Sequence, residues 1–298
     1  MTTLETSGLR DGYAELGDVR LHYVEAGEGP LVVLIHGFPE FWFSWRFQIP
    51  TLAAAGFHVV APDMRGYNLS SRPAGVAAYD TDRLAADVRD LIRERGADSA
   101  FLVGHDWGAG AAWATATNHA EVVERLAILN APHPNRMLRG LRRPRQLARS
   151  WYMFFFQLPW LPERLLSAAG YSALRRAFDD ARPGAFTPQD IARYVEAWAQ
   201  PGAVTAMLNY YRAAFRRASR RGQERIGPVC APTLVIWGER DRHIGAELAE
   251  PDRADVPNLE RVVRLPDASH WVQHDESQRV GQLLIEFFAG RAERQPAA

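Results

Sequence analysis

The sequence predicts an α/β fold built on a mostly parallel, doubly wound sheet, and three observations predict it. Short apolar runs such as Leu31–Ile35, Glu124–Asn130 and Pro232–Gly238 alternate with helix-period stretches; that rhythm is the signature of βαβ units whose strands are covered on both faces. One such run opens at Ala100, stops at Gly104, passes through His105-Asp106-Trp107, and enters an alanine-rich helix pattern at Gly108. It reads as strand, sharp turn, helix, with the glycines leaving room for the turn. The rhythm then breaks off between Asn135 and about Arg225, where no β-like run appears and aromatics, prolines and roughly half of the arginines concentrate. A helical insert is expected there, with Pro228 and Pro232 marking the return.

In chain order, Tyr13–Val24 alternates polar and apolar residues around Gly17-Asp18, the pattern of an antiparallel hairpin. Leu31–Ile35 reads as a buried parallel strand ending in His36-Gly37-Phe38-Pro39-Glu40, and a helix pattern follows through Ala55. Phe57–Ala61 is the next strand, followed by the loop Asp63–Pro73, a helix over Thr81–Arg95, and the strand that leads into Asp106. Glu124–Asn130 closes the first part of the sheet. After the insert, a strand from Pro232 runs to the Gly238–Asp241 turn. Leu259–Leu265 leads into Pro266-Asp-Ala-Ser-His270-Trp271, and a final helix spans Ser277–Phe288.

Composition excludes several function classes. The 35 basic and 35 acidic side chains cancel, every basic one is arginine, and the pI is near 7.2, so no nucleic-acid partner is expected. The pairs Arg142-Arg143, Arg216-Arg217 and Arg220-Arg221 read as solvated helix faces. No apolar run approaches the roughly 20 residues that span a bilayer; Trp151–Trp160 is too short and reads as pocket lining. Met1–Thr6 carries neither a basic segment nor an apolar run, so no signal peptide is expected. The single cysteine, Cys230, forms no internal disulfide and reads as a small buried hydrophobe beside the strand near Thr233. A cytoplasmic monomer or homodimer without stable membrane insertion follows. No ligand cluster or phosphate loop calls for a metal, nucleotide or redox cofactor.

Asp106 sits where a nucleophile would stand in a G-x-S-x-G elbow, with aspartate replacing serine. A carboxylate that attacked an acyl carbon would form an anhydride, whereas attack on an sp³ carbon forms an alkyl ester that water can cleave. The electrophile expected is therefore an epoxide or an alkyl halide. Asp106, Asp241 and His270 each follow a predicted strand, in the order nucleophile, acid, base, at the strand ends where open parallel sheets place their ligand sites.

With these residues in place, the sequence resembles the epoxide hydrolase and haloalkane dehalogenase branch of the α/β-hydrolases, and soluble epoxide hydrolases most of all, from about Tyr13 to Phe288. The resemblance implies a mostly parallel eight-stranded sheet with helices on both faces and a helical cap inserted after the sixth strand. The implied division is residues 1–130 and 229–298 for the core and 131–228 for the cap. His36-Gly37-Phe38-Pro39 resembles the H-G-x-P loop, and Gly104–Gly108 the nucleophile motif; by that likeness the Phe38 and Trp107 N–H groups form the oxyanion hole. Asp63-Met-Arg65-Gly66-Tyr67-Asn68 matches D-x-R-G-Y-G except at Asn68, and asparagine tolerates a left-handed backbone. The family's two cap tyrosines, which hold and protonate the epoxide oxygen, correspond to Tyr152 and Tyr211, with Tyr210 as the neighbour most easily confused with the second.

The activity implied is hydrolysis of a small, apolar epoxide to a vicinal diol without a cofactor. Haloalkane dehalogenation uses the same aspartates and histidine, but Phe38 offers a halide no polar side chain and a tyrosine pair would be superfluous to it. A non-catalytic ligand receptor on this fold is the reading from another class, and a candidate for every catalytic role argues against it.

Overall fold

The computed structural model describes residues 8–221 and 226–290. Strands β1 (Arg10–Leu16) and β2 (Val19–Ala26) form the expected hairpin, closed at Leu16 and Val19 around Gly17. Then come β3 (Leu31–Ile35), α1 (Gln48–Ala54), β4 (His58–Pro62), α2 (Thr81–Glu94), β5 (Ala100–His105), α3 (Trp107–Asn118) and β6 (Val123–Leu129). Six helices follow: α4 (Pro134–Gly140), α5 (Pro144–Arg149), α6 (Trp151–Phe155), α7 (Leu161–Arg175), α8 (Pro188–Trp198) and α9 (Ala203–Arg221). The chain returns through β7 (Thr233–Gly238), β8 (Leu259–Leu265), α10 (Val272–Asp275) and α11 (Ser277–Ala289). The eight strands form one sheet in the order β1-β2-β4-β3-β5-β6-β7-β8. Only the β1–β2 and β2–β4 pairings are antiparallel. This is the α/β-hydrolase fold, with β3 and β5 at the middle of the sheet.

Side chains alternate across a strand, so each central strand feeds two cores. Val33 and Ile35, Leu102, and Leu126 and Ile128 face one layer, which continues into α2 and α3. Val32 and Leu34, Phe101 and Val103, and Ala127 and Leu129 face the other, which is closed by α1 and α11. α2 begins with Asp80, whose side chain accepts from the Asp82 N–H, and buries Leu84, Val88, Leu91 and Ile92 along one stripe.

The six helices between β6 and β7 sit over the carboxyl ends of the strands and are tied there by side chains that cross the gap. Trp198 Nε1 donates to Pro39 O at 2.6 Å, Tyr194 Oη to Glu40 at 3.0 Å, and Tyr210 Oη to Arg65 O at 2.7 Å. Arg217 is not the free face residue expected: it holds both carboxylate oxygens of Asp82 and reaches Asp80, clamping α9 to the start of α2. Arg142, Arg143 and Arg216 are exposed as expected, and the side chains of Arg220 and Arg221 lie outside the described residues. α7 is broken at Ala168–Tyr171, where Ala169, Gly170 and Tyr171 take φ of 47°, 61° and 60°.

Two further sequence expectations differ from the structure. Cys230 is exposed; in the extended approach to β7 the inward place goes to its neighbour Val229, which is fully buried. Trp151–Trp160 lines the pocket only in part. The helical repeat turns Tyr152, Phe155 and Phe156 inward and leaves Trp151 exposed at the rim, while Phe154, Leu158 and Trp160 are exposed away from the lining.

Candidate active site

Asp106 is held at φ 49°, ψ −119° between β5 and α3, a region sparsely populated by non-glycine residues and typical of strained functional positions. The surrounding packing enforces the turn. A Cβ on Gly108 would lie 2.1 Å from Ile35 O, and one on Gly37 would lie 2.4 Å from Asp106 Cβ. These glycines let the ends of β3 and β5 close on each other and present the carboxylate above the sheet. Asp106 Oδ1 accepts from the Phe38 N–H at 2.8 Å. Trp107 opens α3, so its N–H belongs to the first turn, which lacks intrahelical acceptors and favours negative charge.

The other two members arrive from neighbouring strand ends. His270 Nε2 stands 3.7 Å from Asp106 Oδ2, and its Nδ1 is 2.7 Å from Asp241 Oδ2. The other oxygen of Asp241 accepts from the His243 and Ile244 N–H groups at 2.7 and 2.8 Å. Burial would raise the Asp241 pKa, but the charge and hydrogen bond of His270 outweigh it and hold it at about 2. For His270, burial works downward; the Asp241 carboxylate, its hydrogen bond and then the Asp106 charge prevail and lift it to about 9. The imidazolium is thus favoured while both carboxylates are ionised.

Asp106 and His270 open on a cavity of about 990 Å³ lined by Phe38, Trp271 and cap residues, with Tyr152 and Tyr211 among them. The two tyrosine rings stand edge to face with centroids 5.9 Å apart. Burial pushes both phenols up, and the Asp106 charge adds to it. Tyr210, by contrast, is fully buried against Tyr67 and Tyr79 with its hydroxyl committed to Arg65 O. The cavity therefore receives Tyr211 and not Tyr210.

Three further features escaped sequence reasoning. Asn130, at φ 43° directly after β6, donates to Asp241 Oδ2 at 2.9 Å while its Oδ1 accepts the Gly238 N–H at 2.8 Å. Its place at a strand end was a usable signal. Glu40 is buried beneath the site and takes hydrogen bonds from Ser44, Tyr194, Gln273 and His274. Burial would raise its pKa; the neighbouring His274 and His105 hold it well below the ordinary value. His105 Nε2 then donates to His270 O at 2.9 Å, fixing the loop that carries the base. His243 lines the cavity edge-on to His270 at 5.3 Å and to Tyr152 at 5.8 Å. Burial, followed by the His270 charge, lowers its pKa. No group of three or more metal-ligating side chains occurs among the described residues.

A family model described as alpha/beta hydrolase fold matches residues 30–277. The chain is 41% identical over 284 residues to the AB hydrolase superfamily protein YfhM of Bacillus subtilis (strain 168), covering 94% of this chain and 98% of that one. It is 38% identical over 278 residues to Epoxide hydrolase 4 of Homo sapiens, with 90% and 75% covered. Among solved structures, the Bacillus megaterium epoxide hydrolase in complex with an inhibitor superposes with a TM-score of 0.85 at 35% identity, covering 93% of this chain and 99% of that one.

Proposed function

The chain belongs to the epoxide hydrolase branch of the α/β-hydrolase fold family, and from that membership and the geometry of the cavity we propose that it opens a small apolar epoxide through an ester on Asp106. The observation that carries this reading is the division of labour on one carboxylate. Oδ1 is engaged by the Phe38 N–H, while Oδ2 faces the cavity and His270. Oδ2 attacks an epoxide carbon from the side opposite the breaking C–O bond. Tyr152 and Tyr211 hydrogen-bond the epoxide oxygen, and one of them protonates it as it becomes an alkoxide.

Ester formation removes the Asp106 charge, one of the influences holding His270 protonated; the imidazolium proton passes to the tyrosinate left by the first step, and the neutral imidazole then acts as a base. His270 takes a proton from water, whose oxygen attacks the Asp106 carbonyl carbon. The oxyanion rests on Oδ1, held by the N–H groups of Phe38 and Trp107. Collapse releases the diol, its second hydroxyl taking a proton from His270. As the carboxylate re-forms, its proton passes to His270 and restores the resting imidazolium. No metal or cofactor has a role. The reading includes the helical segment 131–228 as a cap on the two core parts 1–130 and 229–298, and a monomer or homodimer in the cytoplasm. The lone cysteine suits a reducing compartment, and among the described residues no helix is long and apolar enough to cross a membrane.

Tyr152→Phe and Tyr211→Phe test the reading. Each removes one donor to a developing oxyanion while keeping the ring, and each is expected to slow opening of an aryl epoxide by roughly 10²- to 10³-fold. Full activity in either variant would remove that tyrosine from the mechanism. Wild-type release of halide from an alkyl halide faster than epoxide opening would favour dehalogenation.

A further inference from the structure

The helical segment over the sheet carries both the excess positive charge and most of the large exposed apolar side chains of the described residues. Residues 134–221 contain sixteen arginines and five acidic residues, a formal +11 balanced by −11 over the rest of a chain whose net charge is zero. Of the ten large hydrophobic residues exposed among the described residues, eight lie in the same segment. Trp151 is 63% and Trp160 66% exposed, with Phe154, Leu158 and Leu165 close by in sequence. Trp160 is held at φ 52°, a conformation unfavourable for a bulky side chain; its ring nonetheless projects into solvent. Exposed apolar and basic side chains of this segment stand at the cavity mouth, where Trp151, Leu165, Arg149 and Arg176 are part of the lining. Arg142, Arg143, Arg145, Arg164 and Arg175 are exposed and enter no ion pair among the described residues.

We propose that this face docks on an anionic lipid bilayer surface, with the mouth of the cavity turned toward the membrane. Tryptophan is suited to the boundary between headgroups and acyl chains, and arginines around such an anchor are attracted to anionic headgroups. Charge selects the occupant: a second copy docking face to face would bring two +11 segments together, whereas an anionic lipid surface neutralises them. The docking is peripheral, because no helix among the described residues can cross the bilayer. It goes beyond the epoxide reading and is read without turnover, so the two can fail separately.

The test is co-sedimentation of the intact protein with vesicles of phosphatidylcholine containing phosphatidylglycerol and with vesicles of phosphatidylcholine alone. Binding at least tenfold stronger to the anionic vesicles is expected, with a blue shift of tryptophan emission, and it should weaken as salt screens the charges. An arginine near an anionic surface contributes roughly fivefold, so the combined Arg142→Glu, Arg143→Glu, Arg145→Glu variant should lower partitioning by more than about 10²-fold. Leu158→Ser with Trp160→Ser should lower it by about tenfold. None of these five residues lines the cavity, and an unchanged circular dichroism spectrum and urea unfolding midpoint would verify that the variants are folded. No binding to the anionic vesicles, or binding undiminished in both folded variants, would overturn the proposal. So would a dimer in sedimentation equilibrium that Trp160→Ser dissociates, since the face would then belong to a second copy.

Discussion

The charge of Asp106 acts on His270 before the carboxylate has attacked anything. Together with Asp241 it holds the imidazole at about 9 against the downward pull of burial, so in the proposed scheme His270 becomes a base only once Asp106 is esterified. Removing a nearby anion withdraws support from the charged form and lowers a histidine pKa. Asp106→Asn, which is neutral like the ester, should therefore bring the His270 pKa below about 9, read from the pH dependence of its ring proton resonances. An unchanged value would detach the base from the nucleophile's charge. His270→Gln keeps Asp106 but removes the base, so mixing it with an epoxide should leave a protein heavier by the mass of the substrate. Unmodified protein after substrate binding would contradict the two-step scheme. At this scale the sequence made Asp106, Asp241 and His270 legible, because each closes a strand pattern, and the structure brings Asp106 and His270 to one cavity with Asp241 buried behind His270. His243 was illegible. It follows Asp241 by two positions in a loop, and nothing in the local pattern says that its ring turns back beside His270. Tyr152 and Tyr211 came from resemblance alone, since an aromatic-rich helical stretch does not by itself say which hydroxyl is unspoken for. Tyr210 donates to Arg65 O, and only the packed structure reveals it.

The elements were read from the chain to within a residue or two at most boundaries, and Leu259–Leu265 coincides with β8. Buried strands and turns announce themselves locally, whereas the helices over the sheet take their faces from what they pack against. Hence α6 turns half of its aromatic run to solvent. The loop after β4 illustrates the same dependence. Arg65 makes two 2.6 Å hydrogen bonds to Asp87 of α2, Arg65 O accepts from Tyr210 of α9, and Arg217 of α9 grips Asp82. Loop, core helix and cap helix thus form one unit. Breaking a buried ion pair by removing one partner costs about 3 to 5 kcal/mol. Asp87→Ala should lose stability in that range in urea unfolding and should loosen α9 over the cavity, read as faster hydrogen exchange around Tyr210. A loss below about 1 kcal/mol would mean that the pair is solvated in solution and does not anchor the cap.

Across the whole molecule, the sheet gathers the end of β3, the elbow after β5, Asn130 after β6, Asp241 after β7 and His270 after β8 along one edge, and the inserted helices close over it. The net charge of zero concealed a strongly basic cap on an acidic core; whole-chain composition averages that segregation away. The edge also fixes where water enters, which is the central claim. If Asp106 is the nucleophile, water attacks the Asp106 carbonyl carbon and not the epoxide, so the oxygen added to the first diol began in the protein. A single turnover in ¹⁸O-water with enzyme in excess measures this directly. Attack by Asp106 gives an almost unlabelled diol and ¹⁸O in the peptide containing Asp106; label in the diol on that first turnover, with an unlabelled peptide, would remove Asp106 from the nucleophile role.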